Sequence, residues 1–217
     1  MILDKSILLF DLDGTIIDSR VGVTRAVRYS LAHFGIEAPA SDDLLGFIGP
    51  PLRSSYEKYY GFAGDRGEAV LAKFREYYDD RGVHENTLIP GVETLLRALR
   101  AGGKTLLLAT TKIELLAVRI LEELGLAELF DHIAGAAPDG RLAEKDQVIR
   151  SALDRANVTD LRAAIMIGDS RYDAEGAHAV GLDMIGVLCG FGSRAELEEA
   201  GADVIVEDME ELGRLLL

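Results

Sequence analysis

Two aspartates stand two positions apart in the run Asp11-Leu12-Asp13-Gly14-Thr15. In an extended chain, residues i and i+2 face the same way, and two carboxylates so placed repel unless a cation or a proton intervenes. Such a pair can divide the work. One carboxylate ligates a metal and attacks as a nucleophile, and the other shuttles a proton. Gly14 lets the backbone turn sharply there, and Thr15 can hydrogen-bond the turn. Taken alone, the run also reads as an ordinary polar turn, since Asp-Gly is a common turn pair.

A second acidic pair lies in Gly168-Asp169-Ser170-Arg171-Tyr172-Asp173. Carboxylates four apart share a face if a helix begins there, and oxygen ligands suit a hard cation such as magnesium. An aspartate at a helix start also serves as a cap. Thr110 and Thr111 close an apolar run that begins near Leu106. Hydroxyl and backbone N–H groups at such an edge can hold phosphoryl oxygens, although water satisfies most strand-end hydroxyls. Lys145 precedes a helical pattern at Val148 and Ile149. A lysine at a helix start opposes the helix dipole, which contact with anionic groups would offset; a solvated side chain is the ordinary account. Arg141 is a second candidate for a phosphate-binding cation, but Lys145 fits the helix start better. Together these residues offer a nucleophile, a proton carrier, metal ligands, a hydroxyl and a cation. Phosphoryl transfer, where positioning and charge neutralisation dominate, needs that set.

The elements that must position these groups are legible in the apolar pattern. Ile7 to Phe10, Leu106 to Ala109, His132 to Gly135, Ala163 to Gly168, Met184 to Leu188 and Asp203 to Val206 read as strands. Helical spacing separates them, as in Val92, Leu95, Leu96 and Leu99 or Ile113, Leu116, Ile120 and Leu124. Strands alternating with helices predict a parallel sheet covered on both faces, with the loops after the strands gathered on one edge. The stretch 18–87 breaks the alternation with helical patterns only, with Ser41-Asp42-Asp43 as a possible cap for a brief helix. Residues 1–17 and 88–217 are therefore expected to form an α/β core, and 18–87 an inserted helical unit.

The chain's 217 residues carry a formal net charge of −14, with 48% apolar and 28% charged residues. Nucleic acid would be repelled by such a field, and Arg20, Arg25 and Arg28 make only a thin basic cluster. A small phosphate-bearing substrate is compatible, because bound magnesium and a few local cations override a distant field. The single cysteine, Cys189, allows no intrachain disulfide. The run from Met1 to Thr15 is too short and too charged for a signal peptide, and no stretch is apolar enough for a membrane span. A soluble, cytoplasmic protein is expected.

The motifs Asp11-Leu12-Asp13-Gly14-Thr15, Thr110, Lys145 and Gly168-Asp169 with Asp173 strongly resemble those of the haloacid dehalogenase superfamily, in its phosphatase branch. They occur in the family's order over nearly the whole chain. Phe47-Ile48-Gly49-Pro50-Pro51-Leu52 and Gly190-Phe191-Gly192 look like the phosphoglycolate phosphatase-like subgroup. The resemblance implies a Rossmann-like parallel-sheet core with an all-helical cap. It implies attack by Asp11 on phosphorus to give an aspartyl-phosphate, with Asp13 protonating the leaving oxygen and then activating water. Magnesium would be held by Asp11, Asp13 (through its backbone carbonyl) and Asp169, with Asp173 as support or a further ligand. Thr110, with Thr111 beside it, and Lys145 would bind the phosphoryl group, Lys145 also steadying Asp11. Thr111 stands where Asn is common in relatives and Asp146 where Pro is common, departures that loosen any assignment of substrate.

Other specificities share the same core chemistry: a nucleoside 5′-monophosphatase, a sugar-phosphate phosphatase or, less in keeping, a hexose-phosphate mutase. Arg53, near the Gly49-Pro50-Pro51 turn, is a candidate for reading the far end of the substrate, or an ordinary exposed arginine at a helix start. A dehalogenase would not need Asp13. A phosphonate hydrolase would need a cap lysine, and Lys58 and Lys73 fit ordinary helix faces. The histidines show no metal-ligand spacing, and Tyr56, Tyr59, Tyr60, Tyr77 and Tyr78 read as packing residues.

Overall fold

A computed structural model describes residues 5–39, 41–139 and 142–217, with the side chains of 41–43 left aside. Arg141 and the capping role of Ser41-Asp42-Asp43 fall outside what is described. The chain divides into two compact units, Met1–Ile17 with Leu88–Leu217, and Asp18–Thr87.

The first unit holds a sheet of six strands: β1 (Ile7–Phe10), β4 (Thr105–Ile113), β5 (His132–Ala136), β6 (Ala164–Gly168), β7 (Asp183–Val187) and β8 (Val204–Val206). Their order is β5-β4-β1-β6-β7-β8, and every pairing is parallel. This is the expected α/β architecture. Helices α4 (Val92–Ala101), α5 (Glu114–Glu123), α6 (Lys145–Arg155), α7 (Arg171–Val180), α8 (Arg194–Glu199) and α9 (Met209–Leu216) connect and follow the strands. Both faces of the sheet are covered, so the strands are apolar throughout rather than alternating. Leu8, Leu9 and Phe10, Leu106 to Leu108, and Ile165 to Ile167 are all fully buried. The helices show the complementary pattern, with α4 burying Val92, Leu95, Leu96 and Leu99 along one stripe. Each such leucine contributes about 1.5–3 kcal/mol of burial.

The chain leaves β1 toward β4 and β5 on one side, then crosses to β6, β7 and β8 on the other. Strand order therefore reverses beside β1, and the carboxyl ends of strands at such a reversal form the usual ligand crevice. β4 differs from the sequence reading. It does not stop at Thr110 and Thr111 but continues to Ile113, with a register shift against β5 between Ala109 and Ile113. The irregularity lets the strand carry polar side chains past the apolar core.

The second unit is built on α1 (Arg20–His33), α2 (Leu52–Tyr60) and α3 (Gly64–Tyr78), with a 3-10 segment at Ser41–Phe47. Val23, Val27 and Leu31 of α1 are buried, as are Val70, Leu71 and Phe74 of α3. The Tyr56 ring packs edge-on to Phe47 and Phe62, and its hydroxyl is 2.6 Å from Ser30 Oγ. Two short strands, β2 (Ile17–Asp18) and β3 (Thr87–Leu88), pair where the chain passes between the units, a feature absent from the sequence reading. Among the described residues no helix is long and apolar enough to cross a membrane.

Candidate active site

Asp11 follows β1 directly, and its N–H still donates to Ile167 O of β6 at 2.9 Å, so its direction is fixed by the sheet. The chain then turns: Gly14 takes φ 86°, and its N–H donates to Ile17 O at 2.8 Å. Gly14 is also required by space. A Cβ there would lie 2.2 Å from Asp169 Oδ2, on the strand-end loop after β6. Oδ2 of Asp169 also accepts N–H bonds from Phe191 at 2.7 Å and Gly192 at 3.4 Å. A Cβ on Gly190 would come within 2.3 Å of the same oxygen. Backbone from the two segments thus forms a cradle that fits a bare carboxylate and nothing larger.

Lys145 is the first residue of α6 and is buried despite its charge. Its ammonium lies 2.6 Å from Asp11 Oδ1, 2.7 Å from Asp173 Oδ1 and 2.9 Å from Ala109 O. The contacts to Asp11 and Ala109 are hydrogen bonds, and the one to Asp173 is an ion pair. The unfavourable place of a lysine at a helix N-terminus is explained by these two carboxylates. Asp173 Oδ2 accepts from Ser170 N at 3.0 Å and Ser170 Oγ at 2.6 Å at the start of α7, while Oδ1 faces Lys145 as an ion pair without a hydrogen bond. It is at once a helix-start residue and a partner of Lys145.

Asp13 faces a different cation. Its Oδ2 is 3.0 Å from Lys112 Nζ, while its Oδ1 is buried with no hydrogen-bond partner among the described residues. Thr110 is buried, and its Oγ1 accepts the Lys112 N–H at 3.2 Å. Thr111 sits between them in β4, half-buried. Arg53 belongs to the helical unit, where it forms an ion pair with Glu68 of α3. The structure therefore brings together Asp11, Lys145, Asp169 and Asp173, and places Asp13 with Lys112.

The side-chain carboxylates that converge are those of Asp11, Asp169 and Asp173, with one oxygen of each within 4.8 Å of the others. The Asp13 side chain is not in that group; the sequence-based set of Asp11, Asp13 and Asp169 enlisted the Asp13 backbone carbonyl. Two of the three, Asp11 and Asp173, share the buried ammonium of Lys145, and Asp169 is held by backbone N–H groups instead. Burial raises Asp11 from 3.8 to about 7, against the pull of Lys145. Burial, then the charges of Asp173 and Asp11, holds Asp169 well above the carboxylate range. Burial lowers Lys145, but Asp11 and Asp173 outweigh it and the pKa rises. Oxygen-only donors with surplus negative charge fit a hard dication. The only cysteine offers no alternative nucleophile, because burial pushes the Cys189 thiol up to about 11.

A stability prediction follows from these signs. Asp11 is easier to protonate folded than unfolded, so its contribution is full below pH 3.8 and falls as pH rises toward about 7. A dication at the cluster should offset that loss. At pH 7.5, magnesium at 100 times its Kd is expected to add about 2.7 kcal/mol. For a chain of this size that is a rise in Tm of roughly 5–10 °C. The rise should be smaller at pH 5, where protons compete. Thermal unfolding with and without magnesium at both pH values checks this, and an unchanged Tm at pH 7.5 counts against a metal at these carboxylates.

Residues 8–187 match the family model described as haloacid dehalogenase-like hydrolase. The chain belongs to that family. This haloacid dehalogenase-like hydrolase is 39% identical to a 5′-nucleotidase of Pseudomonas aeruginosa, over 88% of the chain and 86% of the relative. It is 35% identical to the tyrosine-protein kinase PtkA of Mycobacterium tuberculosis, over 92% of the chain and 67% of the relative. A phosphoglycolate phosphatase of Caulobacter vibrioides is 31% identical, over 94% and 87%. Among solved structures, a predicted phosphatase from Clostridium acetobutylicum is 41% identical, with a TM-score of 0.93 and 97% of each chain covered.

One participant of this haloacid dehalogenase-like site escaped the sequence reading. Lys112 is two residues past Thr110 in β4, inside the stretch where the register shifts, so simple alternation along the strand does not fix its direction. Phe191 and Gly192 entered only through a subgroup likeness, and the structure gives them a physical task at Asp169.

Proposed function

We propose that this chain is a magnesium-dependent phosphomonoester hydrolase of small phosphorylated metabolites, acting through an aspartyl-phosphate on Asp11. The observation that carries the reading is the division of labour between Asp11 and Asp13. Asp11 has one oxygen pinned by Lys145 at 2.6 Å. Asp13 keeps a buried oxygen with no partner among the described residues. A phosphate-binding protein would gain from the Lys145 cation but not from a second carboxylate two residues after Asp11, whose charge opposes a bound anion.

In this reading, Lys145 and the β1–β6 backbone hold the Asp11 carboxylate so that an oxygen attacks phosphorus in line with the leaving oxygen. Asp13 gives a proton to that oxygen, then takes one from the water that cleaves the acyl-phosphate. Thr110 bonds phosphoryl oxygens. Two Lys145 protons are already given to Asp11 and Ala109 O, and the ammonium also faces Asp173, so its main task is to steady Asp11. Asp11 and Asp169 would hold magnesium, with the Asp13 carbonyl, while Asp173, bonded to Ser170 through one oxygen and ion-paired with Lys145 through the other, supports Lys145. The metal when bound supplies charge neutralisation for the phosphoryl group. The inserted helical unit serves as the cap that selects among substrates.

Two substrates deserve testing first. The subgroup likeness favours 2-phosphoglycolate. The higher identity to the Pseudomonas aeruginosa 5′-nucleotidase favours a nucleoside 5′-monophosphate. Phosphate release with magnesium from 2-phosphoglycolate, a nucleoside monophosphate panel and sugar phosphates is the experiment. At least one ester should turn over, with loss on chelation; the preferred one assigns the substrate. Release from none, or transfer to a tyrosine peptide in place of water, would overturn the hydrolase reading.

A further inference from the structure

The proposed reaction has no assigned residue that tells Asp13 which way to point. Asp13 lies in the turn after β1, where Gly14 allows wide backbone freedom, and a carboxylate there can rotate about two bonds. The structure shows it held at one end. Lys112 Nζ is 3.0 Å from Oδ2, and the two side chains are only 9% and 13% exposed. Lys112 is itself fixed by the strand, since its N–H donates to Thr110 Oγ1 at 3.2 Å. The opposite oxygen, Oδ1, is buried and has no partner among the described residues.

We propose that Lys112 is a positioning residue: by anchoring Oδ2 of Asp13 it makes Oδ1 the oxygen that exchanges the proton with the leaving group and with water. The inference rests on the hydrolase reading and deepens it. Thr110 and Lys112, tied to each other at the end of β4, then act on neighbouring groups, the first on the phosphoryl group and the second on the acid/base. An ion pair this enclosed holds its geometry better than one in water, where exposed pairs are worth about 1 kcal/mol or less. Orientation matters because a proton carrier works only within hydrogen-bond reach of the atom it serves.

The test uses leaving groups that differ in their need for a proton. An alkyl phosphate leaves as a poor alkoxide and depends on Asp13. p-Nitrophenyl phosphate leaves as a stable phenolate and does not. In Lys112→Met, the phosphorylation step for the best alkyl ester of the panel should slow by about 10–100-fold, part of what acid/base catalysis supplies. The pre-steady-state burst of nitrophenolate should slow by less than about threefold on the same scale. Substrate KM should stay near the wild-type value. Equal slowing on both esters, as from loss of phosphate binding or of local structure, would overturn the proposal, and so would no slowing on either. Should Lys112→Met fail to fold, Lys112→Gln, which keeps a donor without the charge, takes its place in the same comparison. A wild-type protein inactive on every ester would overturn the hydrolase reading and this inference together, whereas active wild type with an unmoved alkyl-to-aryl ratio overturns this one alone.

Discussion

Asp11→Asn should abolish phosphomonoesterase activity, by about 10⁴-fold or more, the scale on which removing a nucleophile acts. The metal-free fold should be no less stable than wild type at pH 8. The two halves of that expectation have one cause. Asp11 is driven toward neutrality by burial, so the ionised form needed for attack is the form the apo fold least tolerates. A neutral amide of the same shape removes that cost. Its carbonyl can still accept from Lys145, which also keeps Asp173 and Ala109 O. An active site commonly holds such local strain against its own fold. Steady-state rates and thermal unfolding of the two proteins, without divalent cation, check the pair. Residual activity within tenfold of wild type would remove Asp11 from the chemistry.

Asp13→Asn is the second large effect. Acid/base catalysis by a positioned side chain supplies about 10²–10⁴-fold, and an amide provides none of it. The loss should be unequal across the reaction. With p-nitrophenyl phosphate the first step needs no proton, so a burst of nitrophenolate should survive. Water attack on the acyl-phosphate should then stall, and turnover should end after one equivalent of phenolate. Lys112 would keep an acceptor in the amide oxygen of this variant, so the turn after β1 should be undisturbed. Stopped-flow absorbance reads burst and steady state together. A variant that cycles as fast as wild type would assign the proton transfer elsewhere.

The sheet was legible because strands buried on both faces must be apolar from end to end. Leu8 to Phe10 and Ile165 to Ile167 announce themselves without any knowledge of their neighbours. Asp11, Asp13 and Asp169 were legible for a related reason, since a carboxylate ending an apolar strand has few structural uses. Lys145 was flagged by its conflict with the helix dipole, and its partners lie 134 and 28 residues away in sequence, just after β1 and on α7. What the pattern could not give was pairing across the fold. Lys112 looked like one more polar residue past a strand, because its partner Asp13 is 99 residues earlier and reached only through the β1–β4 register. Asp173 was readable as a cap or as a ligand. Its two oxygens divide between Ser170 and Lys145, a result that no spacing rule contains. Arg53 was proposed from a turn and a charge, and in the helical unit it forms an exposed ion pair with Glu68.

The central claim is a covalent phosphoryl group on Asp11. Acid quench of the magnesium-loaded protein with p-nitrophenyl phosphate, followed by mass spectrometry of the peptide that spans residues 7–17, tests it most directly. In Asp13→Asn, where the second step stalls, that peptide should carry one added phosphoryl group, and fragmentation should place it on Asp11. Wild type should show the same adduct at lower occupancy. A peptide without added mass in both proteins, while wild type still releases phosphate, would contradict the account and point to direct attack by water.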